Sequence, residues 1–227
     1  MTIKTPAFVT DGTKIIPINL YDTLTLEAIS ERKIHILKKS GYKIPTNDKN
    51  PVYRIAVALQ KRKPTKFGVK IRIEKNTPTF SGLHSQLSNA AGTLIALNQL
   101  WKFNLPEKEL LKIARLIDPK IPRLLTALLK PNPDPRNILL IRPKHIVINA
   151  GWSKKHNPLS YFPDLKAIIK ILKEHGAEKS GLNGGGPMVF GWFKGAIDIK
   201  PFKKIINKKT DFIWAGSSCN KGVELIH

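Results

Sequence analysis

The chain has 227 residues, 41% of them hydrophobic and 24% charged, enough to bury a real core in one large domain or two small ones. No apolar run reaches the ~18 residues of a membrane span, and the opening MTIKTPAFVTDG lacks the apolar core of a signal peptide. The single cysteine, Cys219, excludes an internal disulfide, and together these features predict a cytoplasmic protein without membrane insertion.

Lys and Arg number 39 against 16 Asp and Glu, a net charge of +23. Such a field attracts nucleic acid, anionic membranes or phosphorylated small molecules, and non-specific polyanion binding is expected of it. Only eight of the 39 are arginine, the residue that phosphate and base readers favour for its bidentate fork. A lysine bias of this kind is also what codon composition alone produces, so both readings of the charge stay open.

In chain order, the first 25 residues read as short strands, with Thr13–Leu20 apolar around Ile15, Ile16 and Ile18, and Leu20–Leu26 continuing. Residues 34–37 read as another strand and Tyr42–Asn50 as a loop rich in turn formers. Pro51–Lys61 has helical spacing at Val52, Ile55, Ala56 and Leu59, and Val69–Glu74 alternates as a strand. Ser88–Trp101 carries the most regular apolar stripe. A second helix follows Pro106 and stops at Asp118-Pro119, and a third covers Ile121–Leu129. Lys130-Pro131-Asn132-Pro133-Asp134-Pro135, with three prolines in six residues, is the linker candidate. Beyond it, Ile138–Ile141 and His145–Ala150 read as strands, Pro163–His175 as a helix stopped by Gly176, and Met188–Phe193 as a strand. A short helix at Phe202–Asn207 and strands at Asp211–Ala215 and Val223–Ile226 complete a mixed α/β pattern. The predicted division is residues 1–130, a linker at 131–136, and residues 137–227.

Three segments carry a family resemblance. Lys75–Ala91, KNTPTFSGLHSQLSNAA, is similar to the phosphate loop of GHMP kinases, K-x-I-P-x-G-A-G-L-G-G-G-S-S-D/N-A-A. Asn157–Phe193 contains NPL, YFPDL and LNGGGPMVFGWF, which resemble N-D-L, Y-P-E-L and S-G-S-G-P-T-V-F-G-L-F. INLYDTL and NPVYRIA resemble I-D-L-Y-D-x-L and N-L-V-Y-R-A. In this order, over about two thirds of the chain, they resemble the 4-diphosphocytidyl-2-C-methyl-D-erythritol kinases. The resemblance implies an α+β fold of two lobes, the first ribosomal protein S5 domain 2-like and the second ferredoxin-like. It also implies Mg²⁺-ATP phosphorylation of a hydroxyl on a cytidine-diphosphate polyol.

The same resemblance assigns candidate sites. Lys75, Gly82, Ser85, Ser88 and Asn89 fall in the nucleotide and phosphate loop, with Ser88 where the family has a serine near the phosphates and Mg²⁺. Such loops work because glycines let backbone N–H groups approach phosphate at a helix N-terminus. Here Phe80, His84, Ser85 and Gln86 replace four family glycines, so the loop is expected to have changed shape. Gly82–Asn89 also reads as a plain helix start capped by Ser88. The family's catalytic Asp aligns with Lys120, which is cationic and cannot accept a proton; Asp118, two residues early, is the nearest carboxylate and equally a helix-terminating residue. The expected amino-terminal Lys is Phe8, and Asp11-Gly12-Thr13-Lys14 echoes the family's D-G-Y-H. Asn50, Tyr53, Gly184, Gly185 and Gly186 match substrate-side positions, and the three glycines read equally as a tight turn. His84, His145, His156 and His175 lack metal-ligand spacing, so no protein-held metal is predicted.

Three functions follow: a kinase with weak or lost catalysis, taking ATP and Mg²⁺ if active; a kinase with a smaller substrate and a rebuilt loop; or a non-catalytic descendant whose basic surface binds nucleic acid or a protein partner.

Overall fold

The computed structural model describes residues 1–10, 12–63, 65–130, 135–148, 150–206 and 210–226. The first lobe is built on strands β1 (Thr2–Thr10), β2 (Ile15–Ile29), β3 (Ile34–Gly41) and β4 (Gly68–Lys75). β1 pairs antiparallel with β2, β2 antiparallel with β4, and β3 parallel with β4 through the crossover helix α1 (Pro51–Arg62). The α1 start is set by sequence: Pro51 occupies the first turn, where its missing N–H leaves no bond unmade, and Asn50 Oδ1 accepts from Val52 N at 3.0 Å. Helices α2 (Ser85–Leu100), α3 (Glu107–Ile117) and α4 (Ile121–Leu129) complete the lobe. Gly92 lets α2 lie against β1, since a Cβ there would stand 2.4 Å from Thr5 Cγ2.

The register of β1 on β2 breaks between Pro6 and Ala7, where proline can donate no ladder bond. The break turns the strands over. Ile3 and Leu24 pack in the first-lobe core with α1 and α2, whereas Ala7, Val9, Ile16 and Ile18 pack against the second lobe. One hairpin therefore serves both cores.

The second lobe runs β5 (Asn137–Pro143), α5 (Ala150–Lys155), α6 (Pro158–Tyr161), α7 (Pro163–Glu174), β6 (Lys179–Leu182), β7 (Val189–Phe193), α8 (Lys200–Ile206) and β8 (Thr210–Ser217). Its sheet order, β6-β7-β5-β8, is the ferredoxin-like arrangement expected. β5 is buried on both faces, which explains its unbroken apolar run. Ile138 and Leu140 join Phe190 and Trp192 against the first lobe, while Leu139 and Ile141 pack with Leu165, Ile168 and Leu172 of α7.

Several expectations need correction. Ile15–Leu20 and Leu20–Leu26 are parts of the single strand β2, and Thr13 and Lys14 precede it. The described residues of His145–Ala150 form no strand; the backbone turns at His145 (φ 62°) and α5 begins at Ala150. The final strand β9 (Glu224–Ile226) pairs with β1 in the first-lobe sheet. Of the linker, residues 131–134 lie outside the described residues, as do Asp11 and Asn207. Among the described residues no helix is long and apolar enough to cross a membrane.

The lobe is pinned by an ion pair with no solvent exposure. Lys75 Nζ, at the end of β4, donates to Asp22 Oδ2 in β2 (2.7 Å), Ser85 Oγ (2.7 Å), Thr77 O (2.9 Å) and Thr77 Oγ1. Asp22 Oδ1 accepts from Asn76 N and Thr77 N at 2.9 Å each, and Oδ2 also accepts from Asn89 Nδ2 at 2.9 Å. Burial pushes the Lys75 ammonium below its ordinary pKa, against the pull of Asp22. Removing one charge of such a pair leaves the other buried and uncompensated. Asp22→Asn should therefore destabilise the chain by about 3–5 kcal/mol, read as a lower urea midpoint; a shift below about 1 kcal/mol would show that the pair is dispensable.

Candidate functional site

The site begins where the Asp22–Lys75 pair fixes the chain leaving β4. Residues 78–84 form a loop with positive φ at Phe80 (54°), Gly82 (79°) and His84 (52°). Only at Gly82 is glycine sterically required: a Cβ there would lie 2.2 Å from the carbonyl oxygen of Asn183. α2 then starts at Ser85, with His84 as N-cap and no side-chain capping bond. Ser88 N is bonded to His84 O at 2.9 Å. The N–H groups of Ser85, Gln86 and Leu87 thus have no intrahelical acceptor, and these residues line a groove at the positive end of the helix dipole.

The opposite wall is the turn between β6 and β7. Asn183 is fully buried, and its Oδ1 accepts from Thr10 N at 2.8 Å, tying the turn to β1. Gly184 (φ 58°) and Gly185 (φ 72°) follow, and a Cβ at Gly186 would stand 3.0 Å from Gly82 N. The glycine turn and the loop therefore meet backbone to backbone. Phe8 N adds a bond to Leu83 O at 2.9 Å.

Between these walls lies a groove of about 360 Å³, lined also by Lys120, Ile148 and Ser153. A second cavity of about 370 Å³ is lined by Thr10, Ile15, Pro119, Lys120, Arg123 and Leu124. The two share His84, Lys120 and Gly184. Arg123 is held by a bond from its Nη2 to Thr13 O at 2.6 Å. Among the described residues no carboxylate lines either cavity, and no group of three or more His, Cys, Asp or Glu could hold a metal.

Of the candidate residues, Gly82, Ser85, Lys120, Gly184, Gly185 and Gly186 come together on the groove. The others do not. Lys75 and Asn89 are consumed in the buried network around Asp22, so Lys75 has no exposed surface with which to meet phosphate. Ser88 is fully buried and its Oγ donates to Pro6 O at 2.6 Å, which directs it to β1 and away from phosphate or Mg²⁺. Asp118, the C-cap of α3, accepts on Oδ1 from Lys120 N at 2.8 Å and lines neither cavity. Asn50 caps α1 and donates through Nδ2 to Pro45 O at 2.7 Å, while Tyr53 packs on the first-lobe core. Neither residue lines the groove or the second cavity.

His84 reads in the sequence as a lost glycine without metal-ligand spacing, and nothing there gives it a role. It is half-buried at both cavities, and among the described residues its ring has no hydrogen-bond partner. Burial pushes its pKa below the usual imidazole value, Lys120 and Arg123 push the same way, and Asp118 opposes them. The arrangement can receive an anion on backbone N–H groups and Lys120, beside a neutral imidazole.

Both halves of the chain are similar to known proteins. The model described as "GHMP kinases N terminal domain" matches residues 50–121, and "GHMP kinases C terminal" matches residues 148–209. The chain is 28% identical to the 4-diphosphocytidyl-2-C-methyl-D-erythritol kinase of Clostridioides difficile, over 92% of this chain and 86% of that one. It is 33% identical to the enzyme of the same name from Caldicellulosiruptor bescii, over 73% of this chain and 63% of that one. A crystal structure of 4-(cytidine 5'-diphospho)-2C-methyl-D-erythritol kinase superposes with a TM-score of 0.74 at 20% identity, covering 96% of this chain and 98% of the other.

The two ends of the loop predict opposite responses to substitution. Phe80 is 74% exposed, so Phe80→Gly removes left-handed strain with little loss of packing and should stabilise the chain by about 0.5–1 kcal/mol. Gly82→Ala should destabilise by about 2–4 kcal/mol, because the new Cβ meets a fixed carbonyl. Thermal unfolding of the two variants checks both signs.

Proposed function

The chain belongs to the GHMP kinase family, and we propose that it binds ATP in the groove at the start of α2 and transfers the γ-phosphoryl group slowly to the hydroxyl of an anionic small molecule. The observation that carries this reading is the uncapped N-terminus of α2, whose Ser85, Gln86 and Leu87 line the groove facing Lys120 and the glycine turn. Gly82, Ser85, Gly184, Gly185 and Gly186 would surround the phosphates, and Lys120 would neutralise their charge. The second cavity, with Lys120 and Arg123, suits a phosphorylated or diphosphate-bearing acceptor. A cytidine-diphosphate polyol of the kind named for the relatives is the acceptor to test first.

Slow transfer follows from the lining. Lys120 stands where the family's catalytic Asp aligns, and Phe8, fully buried in the first-lobe core, stands where its Lys aligns. Phe80 and His84 put side chains where the family has glycine. GHMP kinases in general use Mg²⁺ with ATP, but hydroxyls, N–H groups and a lysine make a poor donor set for a protein-held Mg²⁺.

Calorimetric titration with ATP, with and without Mg²⁺, tests the reading. Binding should be weak, with Kd well above the low-micromolar range of efficient enzymes, and Lys120→Ala should weaken it roughly five- to tenfold. Tight Mg²⁺-dependent binding contradicts the weak-kinase reading, and no heat at millimolar ATP contradicts nucleotide binding altogether.

The net charge of +23 favours a second property independent of the groove. Random oligonucleotides should bind without sequence preference, and the affinity should fall by about tenfold or more between ~50 and ~200 mM salt through counterion release. Sequence-selective binding that survives high salt would favour a nucleic-acid-binding descendant instead.

A further inference from the structure

We infer that the His84 imidazole, standing between the two cavities, is the general base of the phosphoryl transfer. The inference rests on the ATP-dependent transfer proposed above and supplies the proton acceptor which that reading lacks.

Position is the first argument. A base must reach the acceptor's hydroxyl while the donor's phosphate occupies the neighbouring site. His84 lines both the groove and the second cavity, and so do Lys120 and Gly184. Lysine is a cation and glycine has no side chain, so of the three only His84 can take a proton at neutral pH. The ring leans over the glycine turn: a Cβ on Gly184 would stand 3.2 Å from His84 Nε2, and its absence leaves the ring room.

Availability is the second. The ring has no hydrogen-bond partner among the described residues, so neither nitrogen is committed to structure. Asp118, the nearest alternative in sequence, accepts on Oδ1 from Lys120 N and lines neither cavity.

Protonation state is the third. The charged groups facing His84 are Lys120 and Asp118 from the α3–α4 link and Arg123 from α4. Two cations outweigh one carboxylate, and burial acts in the same direction, so the imidazole is neutral at pH 7. The positive end of the α2 dipole reinforces this.

In the transfer step the acceptor's hydroxyl oxygen forms a bond to the γ-phosphorus. The bond from that phosphorus to the bridging oxygen breaks, its electron pair leaving on ADP. The hydroxyl proton passes to a ring nitrogen of His84 and from there to water. Lys120 faces the charge that gathers on the phosphoryl oxygens.

The test uses the full chain with ATP as donor and 4-diphosphocytidyl-2-C-methyl-D-erythritol as acceptor, following ADP formation against pH. Wild-type kcat should rise with pH through an apparent pKa below the usual histidine value. His84→Gln, which keeps a polar side chain but no base, should lower kcat about 100-fold or more, leave the KM for ATP within about threefold, and lose the acid limb. His84→Gly, which suits the positive φ at this position, should recover part of its activity with free imidazole. NMR titration of the His84 ring in the free protein should give a pKa below 6.5. A His84→Gln variant with near wild-type kcat, an unchanged acid limb, or a ring pKa above about 7 overturns the base role while leaving the kinase reading intact. A wild-type chain that forms no ADP overturns the kinase reading and the base role with it.

Discussion

The rest of the molecule depends on one buried contact, the carboxylate of Asp22 against the ammonium of Lys75. Taking both charges out of water costs several kcal/mol per ion, and the cost is offset only where every remaining donor and acceptor is satisfied. Here that condition recruits Thr77, Ser85 and Asn89, and Thr5 in turn donates to Asn89 Oδ1. The network joins β1, β2, β4 and the first turn of α2. It therefore decides where α2 begins and which way its free N–H groups point. It also withdraws Lys75, Asn89 and, through Pro6, its neighbour Ser88 from any role at the groove surface. Residues that align with a phosphate loop here hold that loop in position.

This is also where the sequence was least legible. The fold was readable because its signals are periodic and redundant. Val69, Ile71 and Ile73 alternate as β4, the α1 stripe and Pro51 mark a helix and its start, and Asn157–Phe193 spells out most of the second lobe. Elements failed where that periodicity was missing. β6 is Lys-Ser-Gly-Leu with no apolar alternation, whereas β9 was legible as a strand and only its pairing with β1, more than 200 residues away, was not. His145–Ala150 read as a strand because Ile146, Val147 and Ile148 are β-branched, but a left-handed turn at His145 interrupts it.

The candidate site was half legible for a different reason. Gly82 and the run Gly184–Gly186 were visible because close backbone approach leaves glycine as its signature, and the structure supplies the approach: Gly82 against Asn183 O, Gly186 against Gly82 N. Polar side chains carry no such mark. Asn50 and Asp118 look like site residues in one dimension, and in three they sit at helix ends, Asn50 as the N-cap of α1 and Asp118 as the C-cap of α3. His84 was hidden for the converse reason, since an isolated histidine has no spacing to betray it and only the meeting of two cavities gives it significance.

The replaced glycines carry the last step. A loop that loses its glycines can change its path or keep the path and bear the strain, at roughly 1 kcal/mol or more for each left-handed residue. At Phe80 and His84 the chain bears it, with φ of 54° and 52°. The surroundings explain why. The loop is held at one end by Lys75 on Ser85 Oγ, in the middle by Gly82 against Asn183, and on its flank by Phe8 N on Leu83 O. With those three contacts intact, a new path would sacrifice more than the strain it relieves. At Ser85 and Gln86 no such strain arises, because both already lie in the first turn of α2. Substitution in this loop has therefore altered what lines the groove while the contacts holding its backbone remain. A benzyl group now stands exposed at one rim and an imidazole at the boundary of the two cavities, so any chemistry the groove performs must be accounted for by its side chains as well as by its N–H groups.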